Sequence, residues 1–235
     1  SRSSYNEFLL KEDINNLKQF LKQLGYYSSD IKTLLETNDE ANTANLTYQI
    51  TLGNKAKIDK IVFIGDKVFK DRKLSDVIVS EEAKFWKFIS NKIYIDQTRI
   101  ALDQRLLENF YKNKGYYNVT IQKTFAEYTN QDSFKLIYNI NAGKKYYFNN
   151  INLILPDDYN KNDFIEIEKL AAKFKNKDYS LKKVEKILSE IDNIALYKKY
   201  EFIDASITEN ILDDNKLNFN ITVKDSTKFY VEKIN

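Results

Sequence analysis

The sequence predicts an α+β protein made of tandem copies of one strand-helix-helix-strand-strand module. Three observations predict it. Leu24-Gly25-Tyr26-Tyr27 returns as Lys114-Gly115-Tyr116-Tyr117, an offset of 90 residues. Ile50-Thr51-Leu52-Gly53-Asn54-Lys55 returns as Ile140-Asn141-Ala142-Gly143-Lys144-Lys145 at the same offset. Around these matches, the apolar spacing passes from helical to alternating in the same order each time. Two independent matches at one offset mark an internal repeat, and a repeat overrides the one or two domains that length alone suggests.

Each element has its own warrant. Ahead of the first glycine lies an amphipathic helix. Ile14, Leu17, Leu21 and Leu24 line it in the first copy, and Leu106, Leu107, Phe110 and Tyr111 in the second, with Asp96 as N-cap. In the third copy Ser180 is the expected cap for Leu181, Val184, Ile187, Leu188 and Ile191. Gly25 and Gly115 fall at the helix exit, where a left-handed residue is easy for glycine and hard for others. Two strands follow. In the second copy they are Val119 to Phe125 and the strict alternation Phe134, Leu136, Tyr138, Ile140, with Asn130-Gln131-Asp132 as the turn. Leu46, Tyr48, Ile50 and Leu52 repeat the second of these in copy one, and Leu217, Phe219, Ile221 and Val223 in copy three. A module opens with a strand and a shorter helix. Ile58 to Gly65, closed by a glycine turn, and Lys73 to Ile78 serve the second copy; Phe148 to Leu155 and Asp163 to Phe174 serve the third.

The third copy is the most divergent. Leu196 to Ile203 resembles Phe110 to Tyr117, which puts Glu201 where the glycine stood and implies a different helix stop. Lys224 then replaces the second glycine. The expected organisation is a partial module over 1–55 (second helix and last two strands), complete modules over 56–143 and 144–225, and the first strand of a further module over 226–235. The short joints Gly53 to Ile58 and Gly143 to Phe148 should limit bending between modules without abolishing it.

Composition excludes several functions. The chain has no histidine or cysteine, so nucleophilic triads built on histidine and the usual zinc sites are impossible within it. The five glycines are isolated and form no phosphate-cradling loop. The 37 basic and 34 acidic residues are interleaved, which gives no basic stripe for nucleic acid. Aspartate and glutamate are spread along helices at positions expected to face solvent, so no enzyme and no cofactor is expected; a carboxylate-dependent hydrolase is the class that would need them clustered. No window approaches the ~20 apolar residues of a membrane helix. The chain opens Ser1-Arg2-Ser3-Ser4, with no methionine and no signal peptide, which leaves secretion open. Trp86 is expected in a core or packed between modules.

These residues resemble a known family. Ile61-Val62-Phe63-Ile64-Gly65-Asp66-Lys67-Val68-Phe69, followed by Leu74 and Ile78, is similar to the start of a POTRA domain. Asp103, Leu106, Phe110, Tyr111, Gly115 and Tyr116 resemble its second helix and exit, and Trp86, Phe88 and Tyr94 fit the stretch between. A tandem of such modules is most similar to the POTRA array of the outer-membrane β-barrel assembly factor (BamA) family. POTRA arms of dedicated secretion or translocation transporters, two-partner secretion or TamA-like, are the alternative.

The resemblance implies a three-stranded mixed sheet packed on two helices, with the third strand central and the first two at the edges. It implies binding rather than catalysis. An edge strand offers unpaired N–H and C=O groups to an incoming strand, and such β-augmentation tolerates many client sequences. The expected partner-binding edge is Val119, Thr120, Ile121, Gln122, Lys123, Thr124 and Phe125. Val119, Ile121 and Phe125 share one face, Lys123 interrupts it, and Thr120, Gln122 and Thr124 face outward. Equivalent edges are Asp30 to Glu36 and Ala205 to Ile211. A proline at Ile121 is expected to weaken a partner contact and leave the module folded. Gly25, Gly65 and Gly115 are expected to be structural turns. The implied partners are unfolded outer-membrane proteins and accessory lipoproteins of an assembly complex, not nucleic acid. The implied location is the periplasm, attached to the outer membrane through a C-terminal barrel outside this sequence.

Overall fold

Alternating apolar residues form strands and helically spaced ones form helices, in the expected order. The computed structural model describes residues 6–38, 43–87, 89–130, 133–198, 200 and 203–225, with the side chains of 124–130, 203, 213 and 225 outside that description. The expected opening strand of a further module, 226–235, lies outside the described residues, as do Phe88, Gln131, Asp132 and Glu201. The chain divides into two units, residues 1–107 with 121–141 and residues 108–120 with 142–235.

In the first unit, helix α1 (Glu7–Gln23) starts at Asn6, whose side chain accepts the Phe8 N–H at 2.8 Å. It ends where Gly25 N–H reaches the Lys22 carbonyl and Tyr26 N–H the Leu21 carbonyl, at 3.0 and 2.9 Å. This paired closure requires a left-handed residue, and Gly25 has φ +94°. Strands β1 (Asp30–Asn38) and β2 (Thr43–Thr51) then form an antiparallel hairpin, paired from Asp30–Thr51 to Asn38–Thr43. Leu21 and Ile31 are buried, whereas Ile50 and Leu52, expected on an apolar strand face, are exposed.

The next sheet holds β3 (Lys57–Asp66), β4 (Thr120–Asn130) and β5 (Ser133–Asn141) in the order β3-β5-β4, with β3 parallel to β5. The alternation along β5 puts Phe134, Leu136, Tyr138 and Ile140 in the core. Leu74 of α2 (Asp71–Ser75) and Ile100 and Leu107 of α3 (Gln97–Lys112) are buried as well. Asp96 caps α3 as expected, accepting the Arg99 N–H at 2.9 Å. Gly65 stands at the end of its strand, where its carbonyl accepts the Lys67 N–H at 3.0 Å in the turn that follows. It lies within β3 opposite Ile140 at φ +85°, and a Cβ there would sit 2.3 Å from the Ile140 oxygen. Close backbone approach therefore demands the glycine.

Two expectations fail here. Trp86 is not in a core: it is 59% exposed, edge-on to an 88% exposed Phe85. Nor do all carboxylates face solvent. Asp103 is fully buried and accepts from Val79 N–H (2.6 Å), Ser80 N–H (3.3 Å) and the Tyr138 hydroxyl (2.9 Å). Three donors satisfy the carboxylate, which is what makes its burial tolerable. Burial, then the neighbouring Asp103 charge, pushes the Tyr138 phenol far above its ordinary pKa.

In the second unit, β6 (Tyr147–Ile154) runs parallel and β7 (Ile203–Leu212) antiparallel to β8 (Lys216–Asp225), in the order β6-β8-β7. The same topology therefore occurs twice. Helices α4 (Ile165–Phe174) and α5 (Leu181–Lys198) contribute Ile167, Ile187 and Ile191 to a core with Ile221 and Val223. A second cluster gathers Phe148, Tyr179, Val184, Leu217 and Phe219.

The cap of α5 differs from expectation. The Ser180 hydroxyl caps nothing; it donates to the Asn113 side-chain oxygen at 3.1 Å. That same oxygen accepts the Lys182 N–H at 2.8 Å, so Asn113, from the segment before Gly115, supplies the cap. The expected alignment of the third copy is also off by two residues. Tyr200 N–H reaches the Ala195 carbonyl at 3.0 Å, as Tyr116 N–H reaches Tyr111 at 3.1 Å. Tyr200, not Phe202, is thus the counterpart of Tyr116. Lys224 lies inside β8 and is not a counterpart of Gly143.

One hydrogen-bond pattern recurs where a helix exit meets the following strand. Ala56 N–H reaches the Gly25 carbonyl at 2.9 Å, and Ile95 N–H the Ala56 carbonyl at 2.9 Å. Within the second unit, Tyr146 N–H reaches Gly115 at 2.8 Å and Tyr179 N–H reaches Tyr146 at 2.9 Å. The backbone of each helix-exit glycine thus receives the residue that leads into a first strand.

Candidate functional site

Strand β4 is an outer strand because β5, the last strand of the module, pairs with both others. Its start is held from two sides. Val119 N–H reaches the Tyr116 carbonyl at 3.4 Å, and Val119 and Ile121 are buried. Thr120 and Gln122 are exposed, and Lys123 is half-buried. Thr124 and Phe125 continue the strand backbone, with side chains outside the described residues.

A contact that pattern reading did not find sits at this edge. The Gln104 side-chain amide, from α3, donates to the Ile121 carbonyl. One backbone acceptor of β4 is therefore already occupied from within the chain. Ile121 is also only 3% exposed. A proline there would remove a buried side chain as well as an amide donor, so it would disturb the core and could not report on a partner contact alone.

The other outer second-position strands are β1 and β7. Along β7, Asp204, Ser206, Thr208 and Asn210 are exposed while Ala205 and Ile207 are half-buried. Glu209 of β7 accepts the Tyr117 hydroxyl, and Tyr117 packs edge-on to Tyr179 at 5.0 Å. Burial first, then the hydrogen bond to Glu209, pushes the Tyr117 phenol up to about 12.

The opposite edge of that sheet carries a feature the alternating pattern did not signal. A cavity of about 410 Å³ opens between β6 and α4, lined by Asn150, Leu153, Ile167, Glu168, Ala171 and Lys175 among others. Beside it the strand asparagines pair across the sheet, Asn149 to Asn218 at 2.8 Å and Asn152 to Asn220 at 3.0 Å. Its only sequence trace is the cluster Asn149, Asn150 and Asn152 in a strand otherwise apolar.

Among the described residues, no group of three or more acidic side chains converges as a cation site would require. No helix among them is long and apolar enough to cross a membrane.

The chain is similar to known proteins over nearly its whole length. The outer membrane protein assembly factor BamA of Neisseria meningitidis is 26% identical over 231 residues, which is 98% of this chain and 29% of that protein. A putative outer membrane protein assembly factor of Treponema pallidum is 23% identical over 243 residues, 98% of this chain and 27% of that protein. The chain thus spans less than a third of these relatives. The crystal structure of Haemophilus influenzae BamA POTRA3-5 superposes with a TM-score of 0.56 at 14% identity, covering 95% of this chain and 83% of that one. The POTRA family (surface antigen variable number repeat) matches residues 1–53 and 56–143. With more than half of its length matched, and with the β-α-α-β-β topology present twice, the chain belongs to the POTRA family, as an array similar to those of BamA proteins.

Proposed function

We propose that this chain is the periplasmic arm of an outer-membrane protein assembly machine. It receives unfolded barrel proteins and accessory lipoproteins by β-augmentation and supports insertion of the clients into the outer membrane. The relatives' printed role as outer membrane assembly factors supports this reading. The observation that carries it is the recurrent strand order, which leaves the second strand outermost in both complete sheets. An added strand on β4 would gain backbone hydrogen bonds that do not depend on client sequence, while the exposed Thr120 and Gln122 face solvent. The domain boundaries that go with this reading are a partial module over 1–55, modules over 56–143 and 144–225, and the start of another at 226.

The experiment places a photoreactive amino acid at Gln122 in the full-length parent protein and, as a control, at the exposed Arg105 on α3. Crosslinks to newly exported barrel proteins from position 122 and not 105 are the expected result. Equal capture from both positions, or none from 122 in a protein that still assembles barrels, counts against the proposal.

A further inference from the structure

The segment between α2 and α3 carries Phe85, Trp86 and Ile89, and hydrogen bonds at its base hold it as a loop. Its neck is closed by the Glu81 N–H, which reaches the Lys92 carbonyl at 3.0 Å. Ala83 N–H fastens it to the Ile58 carbonyl of β3 at 2.7 Å. Two turns shape the tip, Lys87 N–H to Lys84 and Ser90 N–H to Lys87, at 2.8 and 3.1 Å.

The loop sorts its charges. Glu81 bridges Lys87 at 2.6 Å and Lys92 at 3.7 Å. Glu82 turns the other way and accepts the Ile61 N–H at 3.1 Å. Both carboxylates are therefore engaged at the neck. The tip keeps Phe85, Trp86 and Ile89, which are 88%, 59% and 83% exposed. Lys84 extends over the Trp86 ring at 5.7 Å from its centroid.

Exposed apolar side chains of this size on an anchored loop need a partner surface. Tryptophan with adjacent lysine and no free carboxylate suits the headgroup region of a bilayer, where the indole sits at the boundary and the ammonium meets lipid phosphate. We infer that Lys84, Phe85, Trp86 and Ile89 form a membrane-contact element that inserts the three apolar side chains into the interfacial layer of an anionic lipid surface. This contact is separate from strand addition at β4 and needs no client.

Trp86 is the only tryptophan in the chain, so its fluorescence reads this loop directly. The whole chain is mixed with phosphatidylcholine vesicles, with or without phosphatidylglycerol. With the anionic vesicles, Trp86 emission should shift to the blue and be quenched by brominated acyl chains. Lys84→Glu should weaken binding to anionic vesicles by about fivefold or more, since each lysine near such a surface contributes about that factor. Phe85→Ser with Ile89→Ser should weaken it by about tenfold through lost apolar insertion, with an unchanged far-ultraviolet spectrum. Co-sedimentation without any change in Trp86 emission would place the lipid contact elsewhere and overturn the inference. So would unshifted emission with both kinds of vesicle, or a shift that requires a partner protein instead of lipid.

Discussion

Replacing Asp103 with alanine should destabilise the 56–143 module by about 3 kcal/mol. Its carboxylate is the acceptor for two backbone N–H groups, of Val79 and Ser80, and for the Tyr138 hydroxyl. Ser80 and Tyr138 are buried, so water cannot replace the lost acceptor at either. Each stranded buried donor costs about 1–3 kcal/mol, and relief of the carboxylate's own desolvation offsets part of the total, which leaves about 3 kcal/mol. For a module of this size that corresponds to a fall of roughly 12–24 °C in melting temperature. Tyr138→Phe removes one donor and leaves the carboxylate with two backbone partners, so it should cost only about 1 kcal/mol. Hydrogen exchange at the β5 amides, residues 133–141, reads the opening of this module separately from the rest of the chain. The reasoning is refuted if Asp103→Ala exchanges within about 0.5 kcal/mol of the parent, or if Tyr138→Phe is as costly as Asp103→Ala.

Two further outcomes follow from the second unit and the tyrosines. Burial raises the phenols of Tyr117, Tyr138 and Tyr179 above their ordinary value of 10.0. A raised folded pKa means that their contribution to stability is complete below pH 10 and is lost as pH rises through the folded values. An ultraviolet titration should show a late class among the 17 tyrosines, and Tyr117→Phe should remove a step near pH 12; a single step for all tyrosines near pH 10 would contradict this. Asn113→Ala should loosen the first turn of α5 by about 1 kcal/mol, since it removes the acceptor of the Lys182 N–H. Ser180→Ala should cost less, because that hydroxyl donates to Asn113 and caps no amide. Amide exchange at Lys182 distinguishes the two, and equal effects would count against the assignment.

What was legible in the sequence is what depends on neighbours along the chain. Helix exits at Gly25 and Gly115 could be read because a left-handed closure needs glycine locally. The alternation of Phe134, Leu136, Tyr138 and Ile140 could be read because a strand with one buried face repeats every second residue. Asp103 could not, because its partners lie 24, 23 and 35 residues away and only the tertiary fold collects them. Likewise the Asn113 cap sits 69 residues from the amide it satisfies. The third copy slipped by two residues for a related reason. Without a glycine at its helix exit, the register is marked among the described residues by the Tyr200-to-Ala195 hydrogen bond. Trp86 departs from the general rule that large aromatics are mostly buried, because it lies on an exposed loop. The edge strand itself was legible as a strand, while the hold of Gln104 on the Ile121 carbonyl was not.

The proposed mode of binding is the addition of a client strand along β4. It is tested most directly by nuclear magnetic resonance on the labelled chain, titrated with a peptide of alternating apolar and polar residues such as a barrel strand provides. Contacts between the peptide backbone and the amides of 120–130, in strand register, are the expected result. Binding that instead maps to β3, or to the groove between β6 and α4 alone, would contradict it.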